Sequence, residues 1–352
     1  MRGETLESVK IRIRNAMLTG FAKAVHLLGR KTLGKTGFFS DLLHVGLEEW
    51  IRVYKEHFPN RISDLDRSYS LLRSELTRDF NWMFGPCRVR AVADQLRQVL
   101  HPFSSGEGIT FLDLGCGTHN PVGLSSVMYL NGARRAIALD LREPDRSRSA
   151  VALYDLLVEC WTNWEKWNWG GTDESTLQDR LARFHFDELK NGQMEAGIAD
   201  VPISHHVGDI LDAPFPEGSI DVMTSHLVLE HFLNFRDAME TLLRLTAPGG
   251  LGAHWIDLSD HRRYLDPGRY HHWSFLAEDD NWSDGRCNRL RAGEIRQICE
   301  TVGFEVVRFD CTRVDMPPGF GSRLTQRFRS MSADDLSTVS VLAVLRRPSN
   351  NT

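Results

Sequence analysis

A chain of 352 residues, 41% of them hydrophobic, is long enough to bury the core of one large α/β domain with an appendage. Lys and Arg number 42 against 47 Asp and Glu, a net charge of -5, so no overall basic balance argues for a nucleic-acid partner. Six scattered cysteines without a C-x-x-C pair suit a reducing cytosol, and no apolar run reaches the roughly 18 residues a spanning helix needs, so a cytoplasmic protein without a transmembrane segment is expected.

Residues 1–105 read as a helical N-terminal subdomain. Leu6, Val9, Ile13, Met17 and Phe21 recur at helical spacing, with Lys10, Arg12, Arg14 and Lys23 on the other face. That describes either an ordinary amphipathic helix with a solvated basic face or one making peripheral contact with an anionic membrane surface. Further helices are expected over 41–58, 68–84 and 87–100.

A polar, glycine-containing linker ends at Gly108, and an α/β domain over 106–352 follows. The apolar run Ile109 to Leu114 has the length and flanks of a buried parallel strand, and Gly115 and Gly117 let the backbone turn sharply. Such a turn, entering a helix over 122–131, is either a plain connection or a nucleotide site in which backbone N–H groups at the helix N-terminus meet the ligand. A second strand, 135–140, ends in Asp140, about twenty residues beyond the glycine turn, where a carboxylate accepts from the ribose hydroxyls of an adenosine.

An insertion over about 145–200 follows, with helices expected at 150–167 and 175–190. Its Trp161, Trp164, Trp167 and Trp169 offer either stacking surfaces for a substrate or packing against the N-terminal helices. Strand 203–207 runs into Gly208, Asp209 and Ile210, with Asp209 placed to read an adenine amine. Strand 220–224 ends in Ser225 and His226, facing the ligand side. A helix over 227–245, a strand over 251–256, a helix over 291–302 and strands over 304–309 and 338–345 complete the pattern, with an irregular basic crossover containing Arg323, Arg327 and Arg329 before the last.

A nicotinamide fold wants Gly-x-Gly-x-x-Gly, but the third glycine position is Asn120 here. The set Leu112-Asp113-Leu114-Gly115-Cys116-Gly117, Asp140, Gly208-Asp209-Ile210, Pro214 to Asp221, Leu229-Glu230-His231 and Pro248-Gly249-Gly250 instead resembles the class I S-adenosylmethionine-dependent methyltransferases, in their small-molecule, type 11-like branch. The resemblance covers about two thirds of the chain. It implies a Rossmann-like, doubly wound seven-stranded sheet with the last strand antiparallel, and S-adenosyl-L-methionine as cofactor. The implied cofactor residues are Asp113, Gly115, Cys116, Gly117, His119, Asp140, Leu141, Asp209, Ile210 and Ser225. One departure is His119, which stands where the family has a third glycine. The stretch from Trp255 to His261 resembles bacterial members linked to natural-product or polysaccharide tailoring.

Methyl transfer from a sulfonium requires alignment of donor and acceptor and, for a hydroxyl acceptor, a base. His261, then His226, lead the candidates, with His231, His254 and an orienting Asp257 beside them; each histidine could instead be structural. Glu230, His231 and His261 resemble the ligands by which some methyltransferases hold a divalent ion, but the acid expected one turn earlier is Leu227, so no metal is expected. The function expected is methylation of a small-molecule or glycan-precursor acceptor, at oxygen, without a nucleic-acid partner. The alternative is a cofactor-binding fold serving as a non-methylating cyclase or isomerase, or as a regulatory scaffold.

Overall fold

In the computed structural model, residues 86–99 and 108–349 are described, save 171, 265, 267 and 279–286. The helices expected over 1–85, including the basic one, lie outside the described residues. Helix α1 (Pro86–Val99) precedes a seven-stranded sheet in the order β3-β2-β1-β4-β5-β7-β6. Its strands are β1 (Thr110–Leu114), β2 (Arg135–Asp140), β3 (Ile203–Val207), β4 (Ile220–His226), β5 (Thr246–Asp257), β6 (Glu305–Arg313) and β7 (Thr338–Arg346). The first five pair in parallel, and β7 lies antiparallel between β5 and β6. This is the Rossmann-like, doubly wound architecture expected from the sequence.

Period-two alternation along the strands loads both faces of the sheet. Phe111, Ala136, Ala138 and Val222 face one core, shared with α1, α2 (Gly123–Leu130) and α3 (Arg146–Thr162), while Leu112, Leu114, Ile137, Leu139 and Met223 face the other. Helix α8 (Phe235–Leu245) covers the second face with Phe235, Ala238, Met239, Leu242 and Leu245, a stripe at helical spacing. Helix α9 (Ala292–Val302) lies beside it and stops at Gly303, whose φ of 116° takes the left-handed C-terminal position.

The insertion between β2 and β3 is helical but more broken than periodicity suggested. The helix expected over 150–167 is α3 plus the single turn α4 (Trp164–Trp167), divided at Asn163, and that over 175–190 is α5 (Glu174–Leu181), α6 (Phe186–Lys190) and, beyond it, α7 (Met194–Gly197). Trp167 and Trp169 are buried in the first core, and Asn131 clamps them there, donating to Trp167 O at 3.0 Å and accepting the Trp169 N–H at 2.7 Å. These two tryptophans pack against α2; Trp161 is 43% exposed.

Two further expectations are corrected. The helix placed at 227–245 begins only at Phe235, because Leu227 takes a left-handed φ of 60° and gives its N–H to Trp255 O at 2.8 Å. A short 3-10 turn, Leu229–His231, follows and sits at the edge of the sheet. The crossover before β7 opens without regular structure over 314–319 but then adds the short helices α10 (Gln326–Arg329) and α11 (Ala333–Ser337).

Candidate active site at the carboxyl edge of the sheet

Between β1 and β4 the strand order reverses, and a doubly wound sheet opens a crevice beyond its strand ends at that point. Gly115 and Gly117 form the turn at its floor, with φ of 71° and 79°, a region costing other residues about 1–2 kcal/mol. A Cβ on Gly115 would stand 2.2 Å from Val228 Cγ2, whereas nothing lies within 4 Å of one on Gly117. Packing demands the first glycine, and open space lies above the second.

The turn's amides are not free, as the sequence reading had them. Gly115 and Cys116 donate to Leu139 O at 2.7 and 3.2 Å, and Gly117 donates to Asp140 Oδ2 at 2.8 Å. The turn folds over the end of β2 and spends its N–H groups there, so β1 and β2 are locked in register. Asp140 Oδ1 also accepts the Arg142 N–H at 3.0 Å, and each carboxylate oxygen has a second lone pair. An acceptor-rich surface of this kind suits hydroxyls and cationic groups better than a pyrophosphate.

Around the turn, Asp113 is buried, and burial foremost, then the Asp140 charge, raises its carboxyl to about 7 against the opposing Arg88. Cys116 and His119 are half-buried, with burial lowering the His119 imidazole. Leu141 is 70% exposed at the end of β2. Asp209 is exposed and caps the 3-10 turn Ile210–Asp212 by accepting the Leu211 N–H at 3.0 Å, while Ile210 is buried in the second core. Ser225, like Ile210, is turned into the protein: β4 directs it to the Met223 face, fully buried, with its hydroxyl 2.8 Å from His254 Nδ1. His254 is equally buried and held near a pKa of 4 by that burial, so it is a core histidine and not a base for an acceptor.

The catalytic candidates fall into two places. His226, at the end of β4, has Nδ1 3.2 Å from the Arg88 guanidinium, and burial, then the Arg88 charge, brings it down to about 4. Arg88, on α1, is a neighbour of the crevice that sequence reasoning missed, since it meets His226 across 138 residues and Asp113 across the linker. His231, His261 and Asp257 converge instead at the ends of β4 and β5. The two imidazole rings meet edge to face at 5.0 Å, His261 Nε2 stands 3.2 Å from Asp257 Oδ2, and the Tyr264 hydroxyl donates to the same oxygen at 2.7 Å. Burial works to raise the Asp257 carboxyl, but hydrogen bonds from His261, Tyr264 and Ser259 outweigh it and keep the pKa low.

Two more residues stand in this cluster: Glu230, already picked out in the sequence, and Cys287, which was not. Glu230 is 1% exposed, and burial raises its carboxyl to about 8 against the backbone N–H groups of Glu230 and Asp257, which lower it. Cys287, from the segment before α9, is buried, and its donor atom lies with those of His231 and His261 inside a 4.8 Å group. Burial and then the Glu230 charge push its thiol up to about 12, which excludes a free thiolate nucleophile.

A family model described as a methyltransferase domain matches residues 88–308. A protein of Mycolicibacterium smegmatis described as a probable S-adenosylmethionine-dependent methyltransferase is 27% identical over 127 residues, 36% of this chain and 44% of that one. The chain thus matches less than half the length of this relative. Among solved structures, an S-adenosylmethionine-dependent methyltransferase from Mesorhizobium loti shares 17% identity over 69% of this chain and 93% of that chain, with a TM-score of 0.38. Geranyl diphosphate C-methyltransferase of Streptomyces coelicolor shares 14% identity over 72% and 79%, with a TM-score of 0.41. The turn at β1, the carboxylate ending β2 and the family match over most of the sheet lead to one conclusion: the chain belongs to the methyltransferase-domain family, whose cofactor is S-adenosyl-L-methionine.

Proposed function

We propose that this protein transfers the methyl group of S-adenosyl-L-methionine to a hydroxyl of a small-molecule or glycan-precursor acceptor in bacterial secondary-metabolite or polysaccharide tailoring. The carrying observation is the Gly117–Asp140 pair under open space, a carboxylate at the end of β2 beside a glycine whose Cβ position has nothing within 4 Å. In this reading Asp140 accepts from the ribose hydroxyls, and Leu141, Asp209 and Ile210 border the adenine. Asp113, Cys116 and His119 border the methionine, and Arg88 offers a cation to its carboxylate. The sulfonium then points past the end of β4.

There the chemistry is a direct displacement, and the protein's part is to align the acceptor and remove its proton. His261, braced by Asp257 and Tyr264, is the first group offered to that proton, with His231 beside it. His226 is neutral across the physiological range and orients rather than titrates. Methyl-labelled cofactor incubated with a panel of phenols, sugars and acyl alcohols should give labelled product from one hydroxyl class. His261→Asn should lower kcat by about 100- to 10,000-fold while leaving cofactor affinity unchanged. Cofactor binding without labelled product on any hydroxyl would remove the O-methyltransferase reading.

A further inference from the structure

We infer that the free edge of β6 is a self-association surface, where two copies of this chain join antiparallel, β6 to β6, about a two-fold axis through Phe309. In the sheet order β6 is an end strand. β7 pairs with one side of it, and no other strand among the described residues lies along its far side. Such an edge presents a row of backbone N–H and C=O groups that a second strand can satisfy. At nine residues, Glu305–Arg313, it is long for an edge, and Val307 is 44% exposed on it. The opposite end strand, β3, has five residues and carries no acid, lysine or arginine.

The side chains of β6 say what fits that edge. Val306, Phe309 and Cys311 turn toward the second core, while Arg308 and Asp310 are exposed and share the other face, where they pair at 2.5 Å. A two-fold axis perpendicular to a sheet carries each residue to the same face of the partner strand. Residues directly opposite one another must therefore share a face, and the axis must pass through a residue rather than between two.

That leaves few registers. Centred on Arg308 or on Asp310, the pairing sets two like charges directly against each other, which is destabilising. Centred on Phe309, it sets Arg308 of each copy opposite Asp310 of the other, twice by symmetry, and Phe309 opposite itself. Farther out in the same register Val307 falls opposite Cys311, and Glu305 opposite Arg313, a second pair of opposite sign. The strand is thus self-complementary about its middle residue. Register shifts at Val306/Arg308 and Thr312/Arg313 bend its two ends, so the central ladder is the part that fixes the alignment.

Helix α9 adds to the strand edge. Its Arg296 guanidinium lies over the Phe309 ring at 5.7 Å from the centroid and pairs with Glu300 at 2.9 Å, both side chains being half exposed. The axis at Phe309 therefore brings the α9 helices of both copies to one face of the joined sheet, with Arg296 and Glu300 of each beside the seam.

The test uses the full chain in sedimentation velocity over an about 100-fold dilution series, in which a reversible monomer–dimer equilibrium should appear. Arg308→Asp and Asp310→Arg each set like charges across both symmetric contacts, and each should weaken self-association by at least about 10-fold. Both positions are exposed, and circular dichroism establishes that the variants are folded. Mixed in equal amounts, the two variants should form a mixed dimer about as tight as the wild type. The acid introduced at 308 then meets the arginine introduced at 310, and the natural Asp310 of one chain meets the natural Arg308 of the other. The pair within each chain stays broken in that mixture, so recovery reports the contact between chains alone. A wild-type protein that is monomeric throughout would mean that the bulges and charges of β6 blunt the edge, and would overturn the inference. So would a dimer that neither charge reversal weakens, or variants that fail to join when mixed. Methyl transfer enters none of these measurements, so they stand apart from the function proposed above.

Discussion

At the residue scale, burial decides the state of the ionisable groups it encloses. His254 is the simplest case. Its folded pKa of about 4 lies below the 6.5 of a free imidazole because burial disfavours the charged form. The unfolded chain therefore binds the proton first as pH falls. The stability that His254 contributes is complete above about pH 6.5 and is lost progressively toward pH 4, by up to about 3 kcal/mol. His254→Asn, which keeps a partner for the Ser225 hydroxyl, should flatten the fall in urea-unfolding free energy between pH 6.5 and 4.5; an unchanged slope would mean that the imidazole is not buried neutral. His254 also marks what the sequence withheld. It stands one strand end from His226 and His261 and reads identically, and only the alternation of β5 turns it inward.

At the element scale, the carboxyl edge is held together by buried polar ties rather than by a longer core. Arg291, fully buried at the start of α9, donates to Leu258 O at 2.7 Å and to Asp335 O at 3.1 Å, and also reaches Thr338 O, so one guanidinium joins the end of β5, α11 and the first residue of β7. Arg291→Met should cost about 3–5 kcal/mol in chemical denaturation, because it strands these carbonyls; a cost under about 1 kcal/mol would show that water takes their place. Strands and α8 were legible because hydrophobic runs and helical stripes are local: β2 and β3 fall at the expected residues. Boundaries set by tertiary contact were not. The start of α8 moved eight residues because Trp255 O captures the Leu227 N–H.

At the scale of the whole molecule, the fold brings the crevice at the β1–β4 switch point and the cluster of His231, His261 and Asp257 to the same edge, one fed by β1 and β2, the other by β4, β5 and the segment before α9. The turn from β1 into α2 and the carboxylate ending β2 were readable because they lie within one βαβ unit, Gly115 to Asp140. The histidine cluster was only partly so, since Arg88 and Cys287 acquire their neighbours from far along the chain. The account's central claim is that S-adenosylmethionine binds over the Gly117–Asp140 turn. Calorimetric titration of the demethylated product, S-adenosylhomocysteine, into the wild-type protein and Asp140→Asn tests it most directly. One equivalent should bind the wild type, and the variant should bind about 10- to 100-fold more weakly at unchanged melting temperature, the loss expected for charge-assisted hydrogen bonds to a ribose. No binding to the wild type, or equal affinity in a folded Asp140→Asn protein, would contradict it.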